Sequence, residues 1–510
     1  MSTYYKKLLS FKKNLNDKVL ILGLGVENKQ FLEWLVRSEV SFLENQIVLA
    51  DENEIQFANL NAENYEIISG KKYLDVLKRE DIKMVIKAPG IWSLRSELKD
   101  FRARNGADSV LSSLTFFMEK YRDQIIGITG TKGKTTTSVL IYHLLKDEHE
   151  IYYCGNTTGI SPYRYWGNPS AYFILELSSF QLQDLGVTKL SPKYAGVTNL
   201  NIDHLDQHKN TLEYHKSKEN LWKYQKSGQG DICLYSSQVA DVMSEIYYGL
   251  EKQTNLQTYN QVNQIVVEGI KSTFKINLLG DHNYLNFSLA IGLAETVNSA
   301  KNQSKKDLNS VLSKIYRKRN IYQEKMENFK SPQGRLELVI KVIVGTFNIS
   351  FYNDNTATEP DAVIAGLQAV ETSSSTTVLI LAGKVKQGDY EKLAEVIKSK
   401  IKQGSVLDIK YFGQIGSKMR ELINPKSQYN GNLKTFLTEN YDYINEVLEL
   451  LKAKQAKHEL SDSIININIL FSPAGSSFDE FENYLVRQEC YLKWVAQNVE
   501  KNSNSTMSYD

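Results

Sequence analysis

The stretch Gly127-Ile128-Thr129-Gly130-Thr131-Lys132-Gly133-Lys134-Thr135-Thr136-Thr137 has the residue types and spacing of a phosphate cradle. An apolar run at 124–126 precedes it, and a helical pattern at 138–145 follows. Glycines let backbone N–H groups approach phosphate oxygens, and a helix N-terminus adds partial positive charge. Lys134 has the reach to meet the β- and γ-phosphates, and the Thr135 hydroxyl is a hard oxygen ligand for Mg²⁺. The spacing departs from the general nucleotide loop, because Ile128 stands where a glycine would be expected. A glycine turn that binds nothing is the alternative. Gly-Lys-Thr-Thr-Thr at a strand-to-helix junction argues against it.

Three further positions carry chemistry. Glu176 opens Glu-Leu-Ser-Ser-Phe-Gln-Leu directly after an apolar strand. A carboxylate at a strand's C-terminal end, in the same sheet as a phosphate loop, is where a Mg²⁺ ligand is expected; a helix N-terminal acid is the other reading. Asp203, His204, Asp206 and His208 crowd together after another strand, which suits metal or phosphate work better than a lone histidine would. Lys218 lies ten residues past His208 and by itself reads as a solvated surface lysine.

Strands and helices alternate along the chain, which predicts α/β domains with largely parallel sheets. The first block begins Val19-Leu20-Ile21-Leu22-Gly23-Leu24-Gly25, and a second strand at 47–50 ends at Asp51. That is a dinucleotide-fold start with an acid closing the second strand, but Asn28 occupies the third-glycine position, so a plain βα turn reads equally well. A third strand, 84–86, runs into Lys87-Ala88-Pro89-Gly90-Ile91. The second block has strands at 172–175 and 194–197 and a helix over 283–296. The third has strands at 347–352, 377–381 and 464–471, with 371–376 as a loop and 400–463 as polar chain without evident chemistry. The domains expected are 1–118, 119–328 and 329–496, with 497–510 a disordered tail.

The 510 residues hold 61 Lys plus Arg against 59 Asp plus Glu, a formal charge of +2, which gives no support for nucleic-acid binding. No apolar run approaches the roughly 18 residues needed to span a bilayer. Three scattered cysteines, Cys154, Cys233 and Cys490, fit a reducing cytoplasm.

The chain resembles the Mur ligase family from about residue 19 to 487. The resemblance rests on the 129–135 loop, on Asp203-His204-Leu205-Asp206 and on Gly280-Asp281-His282-Asn283-Tyr284-Leu285-Asn286. Segments 87–91, 155–156, 176–182 and 472–479 resemble the branch of the family that joins glutamate to UDP-N-acetylmuramoyl-L-alanine. It implies three α/β domains: a Rossmann-like UDP-binding domain, a central P-loop-type ATPase domain and a Rossmann-like C-terminal domain. It implies ATP contacts at Gly130, Thr131, Lys132, Gly133, Lys134, Thr135, Thr136, Asn283, Asn286, Arg335 and Asp354. Two Mg²⁺ ions would be held by Thr135, Glu176, His204 and a carbamylated Lys218. Lys134, Glu176, His204 and Lys218 would form the catalytic set. Gly25, Val26, Asp51, Pro89 and Gly90 would hold UDP, while Asn156, Ser178 and Gln181 would face the muramoyl group. Lys386, Ser477 and Tyr484 would contact glutamate, although a solvated lysine and a core tyrosine are the plain readings of Lys386 and Tyr484.

The implied reaction is cytoplasmic amide synthesis by a monomer, through an acyl phosphate made from ATP, with the third domain closing to exclude water. Departures from the family pattern are Asn28, Gly334 for a histidine, Thr356 for a lysine and Gln488 for a glycine. Thr356 bears on which glutamate enantiomer is used. Other ligases of the family, a nucleotide switch without ligase chemistry, and an NAD-dependent enzyme built on Gly23-Leu24-Gly25 are the competing readings.

Overall fold

The computed structural model describes residues 3–38, 40–55, 62–155, 159–201, 208, 210–226, 229–236, 239, 242, 259–262, 273–300, 308–386 and 388–502. Asn156, Asp203, His204, Asp206 and residues 503–510, singled out above, lie outside the described residues. The chain forms two compact units, one of Met1–Ile276 with Tyr284–Asn328, the other of Asn277–Asn283 with Phe329–Asp510.

The first unit contains two sheets. β1 (Lys18–Leu22), β2 (Ile47–Asp51), β3 (Glu66–Ser69), β4 (Ile82–Lys87) and β5 (Val110–Ser112) lie in the order β3-β2-β1-β4-β5, all parallel. Val19, Leu20, Ile21 and Leu22 are fully buried, as expected for a strand covered on both faces. The order reverses at β1/β4, so a crevice opens beyond the C-terminal ends of these strands. The turn after β1 is pinned there. The Asp51 carboxylate accepts from the Leu24 N–H at 2.6 Å. The buried Asn28 amide donates to the Gly23 carbonyl at 2.9 Å. Asn28 thus secures by a side chain the turn that a third glycine would allow by close packing.

The second sheet has β6 (Ile125–Thr129), β7 (Ile151–Gly155), β8 (Tyr172–Glu176), β9 (Tyr194–Val197), β10 (Ile232–Ser236) and β11 (Tyr259–Val262) in the order β11-β10-β9-β6-β8-β7, again all parallel. Its reversal falls beside β6, which places the phosphate-loop sequence at the crevice. Gly127 belongs to β6, where an added Cβ would meet Leu221 and Pro192 at 2.8 Å. Its glycine therefore serves strand packing, and the loop itself uses Gly130 and Gly133.

The second unit carries β12 (Glu337–Val344), β13 (Phe347–Asn353), β14 (Ser375–Ala382), β15 (Val406–Tyr411) and β16 (Asn466–Ala474), ordered β12-β13-β16-β14-β15. Only the edge pair β12/β13 is antiparallel. The polar stretch 400–463 is folded: helices Leu433–Glu439 and Tyr443–Ala456 bury Leu433, Leu437, Ile444, Val447 and Leu451 in one of the cores flanking this sheet. Two expectations are corrected. β14 starts at Ser375, inside the expected loop, and Ser375 and Thr376 are buried. The helix Tyr484–Asn502 runs through the first six residues of the expected disordered tail, with Asn498 buried and accepting from the Tyr443 N–H at 2.8 Å. Among the described residues, no helix is long and apolar enough to cross a membrane.

Candidate active site

The loop between β6 and the helix Lys134–Leu145 owes its shape to two glycines. Gly130 (φ +147°) and Gly133 (φ +81°) have backbone that side chains resist. A Cβ at Gly130 would lie 1.9 Å from Thr198 Oγ1, and one at Gly133 would lie 2.4 Å from Asn286 Oδ1. Asn199 fixes the loop from beneath, its carbonyl accepting from Thr131 N–H at 3.0 Å and its Oδ1 from Lys132 N–H at 2.9 Å. The Lys132 side chain is exposed. Lys134 Nζ donates to the carbonyls of Gly130 and Thr131, both at 2.9 Å, which holds its charge over the loop. Thr135 and Thr136 are buried in the first helical turn, and Thr137 donates to Asn286 at 3.4 Å.

Glu176 ends β8 and is 1% exposed. Its Oε2 accepts from Thr135 Oγ1 at 3.1 Å, and its Oε1 accepts from the Tyr153 hydroxyl. Lys218 sits in the helix Thr211–Glu219 and is 2% exposed. Its Nζ donates to the Gly130 carbonyl at 2.9 Å and lies 4.6 Å from the Tyr214 ring centroid. The surface-lysine reading of Lys218 is thereby corrected. Its helix buries Tyr214, His215, Ser217, Lys218 and Glu219, too wide a set to leave an amphipathic signature. The His208 ring meets the Tyr214 ring edge-on at 5.3 Å and stacks on Phe180, with its Nε2 3.0 Å from Ser179 Oγ.

A cavity of about 390 Å³ in the same unit is lined by Gly25, Val26, Pro89, Gly90, Gln181 and Glu176. Five residues that the resemblance assigns to the acceptor substrate thus share one wall system with the metal-ligand candidate. Ser178 and Gln181 also do a local job, forming a capping box for the helix Ser179–Thr188. Asp51 is not among the cavity's lining residues and braces the β1 turn instead.

Sequence reasoning missed three groups here. Glu27 lines the cavity, accepting from Ser113 Oγ at 2.8 Å and from Gln181 Nε2 at 3.0 Å; burial pushes its carboxyl above the usual range, against those two hydrogen bonds. Lys87 and Asp184 form a buried ion pair at 2.7 Å, tying β4 to the helix Ser179–Thr188. Removing either partner would strand a buried charge, at a cost of about 3–5 kcal/mol. A lysine closing the apolar run Met84-Val85-Ile86 was the available signal. Tyr153 is the third.

In the second unit, Asp354 is buried, accepting from Leu336 N–H at 3.1 Å and from Ser472 Oγ at 2.9 Å. Arg335 is half-buried beside it. Lys386 is exposed, its Nζ 3.4 Å from Thr358 Oγ1. Ser477 is buried, and the half-buried Tyr484 offers its carbonyl to Asn355 at 2.8 Å. Asn283 donates to the Leu279 carbonyl at 2.7 Å. Two departures from the family pattern are neighbours: a Cβ at Gly334 (φ +72°) would fall 2.3 Å from Gln488 Oε1, so a side chain at 334 would have to displace the flexible end of Gln488 and adopt a left-handed backbone. Thr356 completes the group, donating to the Gly334 carbonyl at 2.9 Å.

The Mur ligase middle-domain pattern matches residues 128–294, the segment that carries the loop, Glu176 and Lys218. The UDP-N-acetylmuramoylalanine–D-glutamate ligase of Clostridium kluyveri is 26% identical over 506 residues, covering 95% of this chain and 99% of its own. The protein of the same name from Clostridium acetobutylicum is 28% identical, covering 96% and 97%. The chain belongs to the Mur ligase family. Among solved structures, MurF ligase from Thermotoga maritima in complex with ADP covers 95% of each chain at 12% identity, with a TM-score of 0.49.

Like its family, this Mur ligase is an ATP-dependent ligase, and its loop chemistry suits Mg²⁺. Thr135 and Glu176 present hard oxygen donors beside a phosphate loop, and Mg²⁺ is commonly held by one or two carboxylates plus substrate phosphate. Among the described residues, no cluster of three or more His, Cys, Asp or Glu is placed to hold a metal without such help.

Asp354 gives this Mur ligase a pH dependence that can be signed. Burial pushes its carboxyl up to about 7, against its hydrogen bonds and Arg335. The folded value exceeds the unfolded one, so the neutral form is favoured by folding. The associated stability is present at low pH and is lost as pH rises from about 4 through 7. Asp354→Asn is expected to flatten thermal stability between pH 5 and 8, gaining ~2 kcal/mol over the parent at pH 8. Parallel pH profiles for the two proteins would assign the dependence to another group.

Proposed function

We propose that this protein joins D-glutamate to UDP-N-acetylmuramoyl-L-alanine in peptidoglycan precursor synthesis, forming an amide at the expense of ATP. The observation that carries the reading is the double placement of Glu176. It accepts from Thr135 of the phosphate loop and also lines the cavity walled by Gly25, Val26, Pro89, Gly90 and Gln181. A phosphate-binding loop and an acceptor cavity that share one carboxylate suit transfer of a phosphoryl group onto an acceptor carboxylate.

A carboxylate is a poor electrophile, and phosphorylation supplies a leaving group. Lys134 and the loop N–H groups would stabilise charge on the transferring phosphoryl group. Thr135 and Glu176 would hold Mg²⁺, with His204 and carbamylated Lys218 assigned to a second ion. The ion would supply charge neutralisation on the phosphates. Glutamate amine then attacks the acyl carbonyl, phosphate leaves, and the amine loses its proton. Arg335, Asp354, Asn283 and Asn286 are assigned to the nucleotide, and Lys386, Ser477 and Tyr484 to glutamate. The three free thiols agree with a reducing cytoplasm.

The test is phosphate release from ATP by purified protein given UDP-N-acetylmuramoyl-L-alanine with D-glutamate, L-glutamate or no amino acid. Release dependent on D-glutamate is expected. Release with L-glutamate alone would reassign the amino acid, consistent with threonine at 356. No release with either, despite ATP binding, would sink the assignment of acceptor and amino acid.

A further inference from the structure

The hydroxyl of Tyr153 meets one oxygen of Glu176 while Thr135 meets the other. The register explains how. β7 pairs with β8 in parallel, Tyr153 opposite Ile174 and Gly155 opposite Glu176. Side chains two apart on a strand share a face and sit about 6.6 Å apart along it. Gly155 contributes no side chain on that face, and a Cβ there would lie 2.9 Å from the Glu176 carbonyl. The offset from Tyr153 to the level of Glu176 matches the length of a tyrosine side chain. Its hydroxyl arrives at the carboxylate that closes the neighbouring strand.

We propose that Tyr153 is a positioning residue for the divalent cation of this ligase: it fixes Glu176 Oε1, which leaves Oε2 directed at Thr135 on the phosphate-loop side. The proposal rests on the metal role assigned to Thr135 and Glu176 above. A hydroxyl donating to an ionised carboxylate makes a strong, short hydrogen bond, and one on a carboxylate only 1% exposed is not replaced by bulk water. Without it, Glu176 gains rotamers that turn Oε2 away from Thr135. Groups that orient metal ligands in this way typically contribute 10–100-fold to metal affinity. Tyr153 lies outside the phosphate loop, so its effect is confined to the metal and does not extend to metal-free nucleotide.

Tyr153→Phe in the full chain separates these quantities. Mn²⁺ binding to the protein–ADP complex, followed by electron paramagnetic resonance, is expected to weaken about 10-fold. ADP affinity in excess EDTA and the thermal midpoint should stay at parental values. In turnover, the Mg²⁺ concentration for half-maximal rate should rise by a similar factor, while the rate at saturating Mg²⁺ falls less than 3-fold. Equal Mn²⁺ affinity in the two proteins would overturn the proposal and leave the ligase reading intact. A parallel loss of metal-free ADP affinity would overturn it by making Tyr153 a structural residue of the loop. Mn²⁺ binding to the parent complex that survives Glu176→Ala would remove the metal assignment itself, and the proposal with it.

Discussion

Lys134→Ala is expected to lower acceptor-dependent phosphate release by at least ~10³-fold while the protein stays folded. The side chain is one of the first residues of a helix whose N-terminus faces the loop, and its Nζ is already held by the Gly130 and Thr131 carbonyls. An ammonium held in place before the reaction pays little reorganisation as charge develops on the phosphoryl oxygens, which is the condition under which a single donor counts most. The loss should fall mainly on kcat. Backbone N–H groups and the helix terminus still contact ground-state phosphate, so nucleotide affinity is expected to drop only about 10-fold. Lys134→Arg should rescue little, because a planar fork cannot occupy the position of a compact ammonium between two carbonyls. Isothermal titration with ADP beside steady-state phosphate release measures both effects. Near-parental turnover by Lys134→Ala would take this loop out of the chemistry.

Much of this was legible in the sequence because the relevant signals are local. The phosphate loop is a contiguous run whose glycines, lysine and threonines each have a backbone reason for their place. The apolar runs of β6, β8, β9 and β14 are buried on both faces and so stand out without any periodicity. β12 did not stand out, because at the sheet's edge it alternates poorly and leaves Leu338 exposed. The helices within 400–463 were hidden by their polar outer faces. The site contacts that could not be read locally all depend on pairing across the sequence. Lys218 meets Gly130 from 88 residues away, Tyr153 meets Glu176 from 23, and Lys87 meets Asp184 from 97. No local pattern marks such partners; only register and topology bring them together. The neighbouring pair Gly334 and Gln488 has the same origin: each reads as an isolated departure until the fold brings them side by side.

Lys218→Ala is expected to lower turnover by ~10²–10³-fold, and the way activity returns identifies the form in which the lysine works. The buried amine touches the Gly130 carbonyl and lies over Tyr214, so it is packed rather than solvated. Two chemical species fit that position. An ammonium would add positive charge beneath the phosphate loop. A carbamate, formed from the neutral amine and CO₂, would keep an N–H for Gly130 and present two carboxylate oxygens to a cation. The alanine variant leaves a space the length of the lost side chain, which a short carboxylate or a short amine can enter. If the carbamate is the working form, propionate should restore part of the activity and propylamine none, and Lys218→Arg should be as impaired as alanine because a guanidinium is not carbamylated under these conditions. Labelled CO₂ should then give a carbamate carbon resonance in the parent that is absent from Lys218→Ala. Rescue by propylamine, or an active arginine variant, would establish the ammonium instead and would withdraw Lys218 from the metal ligands. Glu176 and the Thr135 hydroxyl would then hold the ion with His204 alone, and the dependence of that site on Tyr153 would be correspondingly greater.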